Sequence, residues 1–376
     1  MAKVLINASN LHHGGGVQVA ASFIYELHFL CSTTETDFTV ILSSEVKNSI
    51  PKDINWNVFE NVIEENIFGV SVGTLKFRRL FSSFDLCLTV FGPNYIVNGC
   101  RFNIVGFAQP WIIYPDNSLY SSMSKLIFLK TKLKFYIQKV FFQSADVLIV
   151  EHDLVKRKLV ELGFNKNKIS IVNNSVSSYF LESDCLTHNK LNRFGAEQDF
   201  NIGFLGRGYP HKNLKILLDV DKLLKVKYNI KCNFVFTLTT EEMNEHGFSL
   251  LDNFYSYGAI NSQLCPSFYN AIDALIFPSL LECFSATPLE AMYMRVPLIA
   301  SDLPFVTDIC HDAATYFDPN SADDIAKSIV RVVVNEEETK NKVYAGSRLV
   351  ESGFTAKQRA SMYLSIIDNA LKGYYV

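Results

Sequence analysis

The chain has 376 residues, 48% of them hydrophobic and 19% charged, with a formal net charge of -3. That length exceeds one ordinary core and suits two domains, and the apolar content excludes intrinsic disorder. The charge excludes a strongly basic nucleic-acid-binding domain, so no nucleic acid partner is expected. Cys31, Cys87, Cys100, Cys185, Cys232, Cys265, Cys283 and Cys310 are scattered singly. They lack the paired spacing of a zinc site and the density of a disulfide scaffold, which fits a reducing cytosol. Met1 to Asn7 carries no cleavable signal pattern, and no uncharged apolar run reaches membrane-spanning length. A cytoplasmic protein with at most peripheral membrane contact is expected.

Short apolar runs alternate with helix-compatible segments along nearly the whole chain, the pattern of βα units and parallel sheets. Strands are predicted near Val4–Asn7, Phe38–Leu42, Asp85–Val90, Asn103–Phe107, Asp146–Val150 and Lys168–Val172. From about Ser175 to Phe200 the pattern gives way to a polar stretch, which places a linker at 179–200 between an N-terminal domain, 1–178, and a C-terminal domain, 201–355. The second half restarts at Asn201–Leu205 and continues through Asn233–Leu238, Phe254–Tyr257, Ala274–Phe277 and Leu298–Ala300. A last helix, about Ala356 to Lys372, is expected to pack back on the first domain. The fold class is therefore α/β, two Rossmann-like domains facing each other across a cleft, with ligand at the carboxyl ends of the strands.

Three loops carry chemistry. Leu11-His12-His13-Gly14-Gly15-Gly16 follows the first strand and opens a helix, where glycine lets backbone approach a ligand and the helix start favours phosphate. Val19 stands where a dinucleotide fingerprint needs its third glycine, and a flexible turn is the plain alternative. The adjacent His12 and His13 point in different directions with no nearby carboxylate in sequence, so no metal is expected. Gly206-Arg207-Gly208-Tyr209-Pro210-His211-Lys212 follows the opening strand of the second domain, and its two cations could neutralise a diphosphate or simply be solvated loop charges. Phe277-Pro278-Ser279-Leu280-Leu281-Glu282-Cys283-Phe284-Ser285-Ala286-Thr287-Pro288-Leu289-Glu290 runs from a buried strand into a helix and sets two glutamates eight positions apart. Thr287-Pro288-Leu289-Glu290 also spells a capping box, so Glu290 has a purely structural reading beside a ligand-binding one. Glu282 has no such structural reading.

This last segment resembles the glutamate-x7-glutamate signature of retaining GT-B glycosyltransferases, in particular the group 1 family GT4; Pro278-Ser279 and Glu290-Ala291-Met292 match as well. The resemblance implies transfer of a glycosyl group from a UDP- or GDP-sugar, used as co-substrate with no further cofactor, to a hydroxyl of a saccharide or lipid-linked acceptor. It assigns Glu282 to hydroxyls of the donor sugar, the loop Phe284, Ser285, Ala286 and Thr287 to sugar and diphosphate, and Glu290 to the nucleotide ribose. Arg207 and Lys212 correspond to the family's phosphate-holding pair, and Gly15 and Gly16 to its N-terminal glycine-rich loop. Cys283 stands where the family usually has glycine, a departure that narrows the space beside the sugar. Gln109 takes the place of an acceptor-side histidine, and glutamine can hydrogen-bond a sugar but cannot take a proton. The family's setting implies bacterial surface polysaccharide synthesis, of O-antigen or capsule type. A nucleotide-sugar 2-epimerase of the same fold and a non-catalytic sugar-nucleotide-binding protein are the rival readings.

Residues 121–142 read as a helix with five lysines, Lys125, Lys130, Lys132, Lys134 and Lys139, and no acid. Such a segment could lie on an anionic membrane, or be an ordinary packed helix with a lysine-rich outer face.

Overall fold

The computed structural model describes residues 1–69, 75–96, 99–180 and 191–373. Contacts divide the chain into two units, Met1–Ser178 with Phe354–Val376, and Tyr179–Gly353. The middle of the predicted linker, 181–190, lies outside the described residues, as does Cys185.

The first unit is built on seven parallel strands: β1 Ala2–Ala8, β2 Thr36–Leu42, β3 Asn61–Glu64, β4 Leu86–Thr89, β5 Phe102–Gly106, β6 Val147–Val150 and β7 Ile169–Ile171. Their spatial order is β3-β2-β1-β4-β5-β6-β7, so the sheet reverses direction of growth between β1 and β4. Parallel strands with both faces covered read as continuous apolar runs, and Val4, Leu5 and Ile6 of β1 are all fully buried. Edge strand β3, absent from the sequence-based reading, is half exposed and polar at both ends, so it lacks that signature.

The helix Ala356–Leu371 packs on the helix Gly15–Leu30 of this unit. Its Arg359 is 2% exposed, and its guanidinium donates to Ser22 Oγ at 2.8 Å and to Asn174 Oδ1. Asn174 in turn donates to Glu151 Oε1 at 2.6 Å. Burial pushes the Glu151 carboxyl up to about 7, against the opposing pull of Arg359 and the Asn174 hydrogen bond.

The predicted helix over 121–142 is split: a short turn, Ser118–Ser122, precedes a helix from Lys125 to Gln143. Its packing is the reverse of an ordinary amphipathic helix, because only Gln138 and Phe142 are buried while Leu126, Leu129, Leu133 and Tyr136 are each about 60% exposed. The inner side leans on aromatic rings, with Phe135 stacked on Trp111 at 5.6 Å and Phe128 edge-on to Tyr120 at 5.2 Å. Among the described residues no helix is long and apolar enough to cross a membrane.

The second unit holds six parallel strands: β8 Phe200–Phe204, β9 Cys232–Phe236, β10 Phe254–Ser256, β11 Ala274–Phe277, β12 Leu298–Ser301 and β13 Ala314–Phe317. The order is β10-β9-β8-β11-β12-β13, and the reversal falls between β8 and β11. Strand β13, four residues long, was not anticipated from sequence. Aromatic packing dominates this core: Phe236 and Phe248 stack at 4.8 Å, and Phe234 and Phe254 at 4.7 Å.

Candidate functional site

In an open parallel sheet the loops that leave the strands on either side of the reversal part from each other and open a crevice at the carboxyl edge. In the second unit those strands are β8 and β11. The loop after β8 carries Arg207 and Lys212, and the loop after β11 carries Glu282 and leads into the helix of Glu290. The two loops are tied together through backbone, Leu280 N–H donating to His211 C=O at 2.8 Å.

Lys212 Nζ lies 2.5 Å from Glu282 Oε1, and 5.4 Å above the ring centre of Phe277. The lysine and glutamate side chains are 14% and 10% exposed. An ammonium has three protons to give, so one contact with Glu282 leaves others for a ligand oxygen. His211 beside them is held below its ordinary value by burial and by Lys212, with Glu282 pulling the other way.

Arg207 is braced by a residue that the sequence reading did not single out. Glu242 Oε1 accepts from Arg207 Nε at 3.0 Å and from Gly208 N–H at 2.9 Å, while its Oε2 closes the capping box at Thr239 N–H, 3.0 Å. Burial would raise this carboxyl, but the Thr239 and Gly208 amides and the Arg207 guanidinium outweigh it and hold it below the usual range. Nε of the guanidinium is thus held, and the bond to Glu242 leaves its remaining N–H donors for a ligand. Gly208 is needed for the close approach: a Cβ there would sit 2.7 Å from His246 Nε2, the nitrogen that contacts Gly208 C=O at 3.1 Å. The Thr239-x-x-Glu242 spacing was legible as a capping box; its second use on Arg207 was not.

The helix that begins the second half of the motif runs from Ala286 to Tyr293 with Ser285 as its N-cap. This corrects the capping-box reading of Thr287 to Glu290. Thr287 lies inside the helix, Pro288 is its third residue, and Glu290 sits a full turn in, too far to reach back to the cap. Its Oε2 instead accepts from Tyr269 Oη at 2.9 Å, and the same hydroxyl lies 3.1 Å from Thr287 C=O. Burial raises the Glu290 carboxyl to about 7, with Tyr269 pulling it down. Phe284, Ser285, Ala286 and Thr287 are half-buried at the helix start, where backbone N–H groups have no intrahelical acceptor. Cys283 is buried, its side chain filling the place where the family pattern has none.

In the first unit Gly15 and Gly16 open the helix after β1, preceded by Gly14 at φ 73°, a left-handed conformation that favours glycine. Gln109 is half-buried after β5 and is the N-cap of the short helix Pro110–Ile113. Both lie at the carboxyl edge of one sheet, with β4 between their strands. His12 meets a carboxylate that its sequence neighbourhood does not contain: Nδ1 is 3.6 Å from Glu45 and Nε2 is 2.9 Å from Ile67 C=O, while the ring stacks on Phe68. Among the described residues no three His, Cys, Asp or Glu side chains gather as a metal-holding group.

Residues 189–348 match the family model described as glycosyl transferases group 1. The match takes in Arg207, Lys212, Glu282 and Glu290. The chain is also similar to an uncharacterized 41.2 kDa protein in the cps region of Klebsiella pneumoniae, 24% identical over 300 residues, 76% of this chain and 80% of that protein. It is 26% identical over 243 residues to the capsular polysaccharide biosynthesis glycosyltransferase CapM of Staphylococcus aureus, 61% of this chain and 64% of that one. Among solved structures, Anabaena Alr3699/HepE in complex with UDP and glucose superposes with a TM-score of 0.69 at 14% identity, covering 98% of this chain and 100% of that one. At that identity the likeness is one of fold, the two Rossmann-like α/β domains of GT-B proteins.

Proposed function

We propose that this protein is a retaining, metal-independent glycosyltransferase of the hexosyltransferase type. It moves a sugar from a UDP- or GDP-sugar to a hydroxyl of a saccharide or lipid-linked acceptor in bacterial surface polysaccharide synthesis, at the inner face of the cytoplasmic membrane. The observation that carries the reading is the Lys212–Glu282 ion pair between the two loops that flank the reversal of the second sheet, with Arg207 on the first loop and Glu290 on the helix that follows the second. The group 1 match over the same loops, the capsular relative, and the UDP and glucose complex of a fold neighbour support it.

In this reading Arg207, Lys212 and the amides of Phe284 to Thr287 take the donor's diphosphate, Glu282 its sugar hydroxyls, and Glu290 the ribose. The bond from the anomeric carbon to the diphosphate oxygen breaks as charge builds on that oxygen, which is where the two cations act. The acceptor hydroxyl bonds to the same face of the anomeric carbon and its proton passes to the departing phosphate. No protein base is then required, in keeping with Gln109 as a positioning group on the same sheet edge as Gly15 and Gly16 in the first unit.

A thermal-shift screen against UDP, GDP and their sugar conjugates tests donor binding, since stabilisation reaches about 2.7 kcal/mol at a hundredfold excess over Kd. Transfer of radiolabel from the stabilising donor to a membrane or saccharide extract tests the reaction. Epimerised free nucleotide sugar with no acceptor consumed would assign an epimerase, and tight binding without turnover a non-catalytic role.

A further inference from the structure

The helix Lys125–Gln143 exposes an apolar stripe that nothing among the described residues of its own unit covers. Leu126, Leu129, Leu133, Tyr136, Ile137 and Val140 are 63%, 63%, 59%, 66%, 42% and 49% exposed. At 3.6 residues per turn they fall within roughly a 100° sector, and from Leu126 to Val140 the stripe runs about 21 Å. Lys125 borders it on one side and Lys130 and Lys134 on the other, while the helix contains no acid. The two lysines on the inner side have work within the fold: Lys132 pairs with Asp116 at 3.4 Å and Lys139 donates to Leu162 C=O at 2.9 Å. Over residues 118–168 there are ten lysines and arginines against four acids, although the whole chain carries a net charge of -3. Positive charge is therefore gathered around a long helix that turns its leucines outward.

We infer that this helix docks on an anionic lipid bilayer, its stripe lying in the plane of the interface and its three outward lysines against lipid headgroups. An apolar sector flanked by lysines whose long stems let the ammonium reach the headgroup layer is the chemistry of an interfacial helix. A second copy of the chain fits poorly, because a two-fold contact along the stripe would bring two lysine-flanked seams together with no acid to answer them. The inference deepens the membrane setting proposed above. It is tested without donor or acceptor, so its failure and that of sugar transfer are told apart.

The experiment is flotation of the full chain with phosphatidylglycerol vesicles and with phosphatidylcholine vesicles, beside the triple variants L129Q/L133Q/Y136Q and K125Q/K130Q/K134Q. All six side chains are outside the packed side of the helix, and unchanged circular dichroism and melting confirm that each variant is folded. The wild-type chain is expected to float with the anionic vesicles, weakly with the neutral ones and less at high salt, and each variant to lose about tenfold or more in partition. Wild-type protein that stays in solution with phosphatidylglycerol, or variants that float as well as wild type, would overturn the proposal. A dimer dissolved by the Leu and Tyr substitutions, with no partition onto vesicles, would assign the stripe to a second copy and overturn it too.

Discussion

Lys212 Nζ and Glu282 Oε1 are 2.5 Å apart on loops from neighbouring strands, so the cation assigned to phosphate and the carboxylate assigned to sugar form one ion pair. Each restrains the other's side chain. Glu282→Ala leaves a folded protein whose lysine has lost its largest restraint, and turnover is expected to fall about 10²- to 10³-fold. In a double-mutant cycle with Lys212→Met, the two stability effects should fail to add by about 0.5–3 kcal/mol, since each single change strands a mostly buried charge. Additive effects by urea unfolding would show that the pair does not couple in solution.

Glu242 poses a separable question, because one carboxylate both caps a helix and braces Arg207. Glu242→Gln keeps an oxygen for the Thr239 amide but weakens the hold on the guanidinium. The expected result is near-native melting with nucleotide-sugar affinity reduced several-fold. Glu242→Ala removes both and should also lose about 1 kcal/mol of stability. Isothermal titration beside thermal unfolding separates the two functions, and equal affinity in all three proteins would remove Glu242 from the site.

The difference between what sequence reveals and what it hides follows from range. Strands β1, β2, β4 and β11 are short apolar runs bounded by polar residues, a local signal, and they lie where the pattern puts them. The motif loops were legible because their residue types are spaced along one segment. By contrast, β3 is partly exposed at an edge and β13 sets Thr315 and Tyr316 between its end residues, so neither reads as a continuous apolar run. Tyr269 reaches Glu290 from another helix, and Glu242 reaches Arg207 from 35 positions away, contacts that no local spacing encodes. The helix at Lys125–Gln143 showed its composition in the sequence but not its orientation, because an apolar stripe reads the same whether it faces a core or solvent.

Glu290 should make donor binding depend on pH. Its carboxyl is raised to about 7 by burial, so near neutrality part of the population is protonated and can offer a ribose only one full acceptor. Affinity for a nucleotide sugar, whose diphosphate keeps its charge over this range, is expected to rise several-fold from pH 6 to pH 8, and to be flat in Glu290→Gln. Stability moves the opposite way. The folded chain keeps this proton up to about 7 while the unfolded chain loses it near 4.5, so stability falls as pH rises through that window. Without ligand, Glu290→Gln should therefore be the more stable protein at pH 8, by up to about 3 kcal/mol, with the gap closing towards pH 4.5. A flat affinity profile in the wild-type chain would count against the ribose assignment.

Arg359 is the test of how the C-terminal helix is held to the first unit. Its guanidinium is 2% exposed and satisfies Asn174 Oδ1 and Ser22 Oγ, and its charge opposes the burial that raises Glu151. Arg359→Met has similar length and keeps much of the packing, but it takes the guanidinium from Ser22 Oγ, leaves Asn174 Oδ1 only the Ser175 N–H, and removes the only cation acting on that carboxyl among the causes of its shift. The expected loss is about 2–4 kcal/mol, read by urea unfolding, with hydrogen exchange faster along Ala356–Leu371 than elsewhere in the unit. Glu151 should then hold its proton to still higher pH, so the variant's deficit grows as the solution is made alkaline and the carboxyl is forced to ionise without its partner. Replacing Glu151 by Gln in the same chain removes that growth while leaving the deficit from Asn174 and Ser22. A variant as stable as wild type at both ends of the range would mean that the helix is held by its apolar face alone, through residues such as Tyr363 and Ile367.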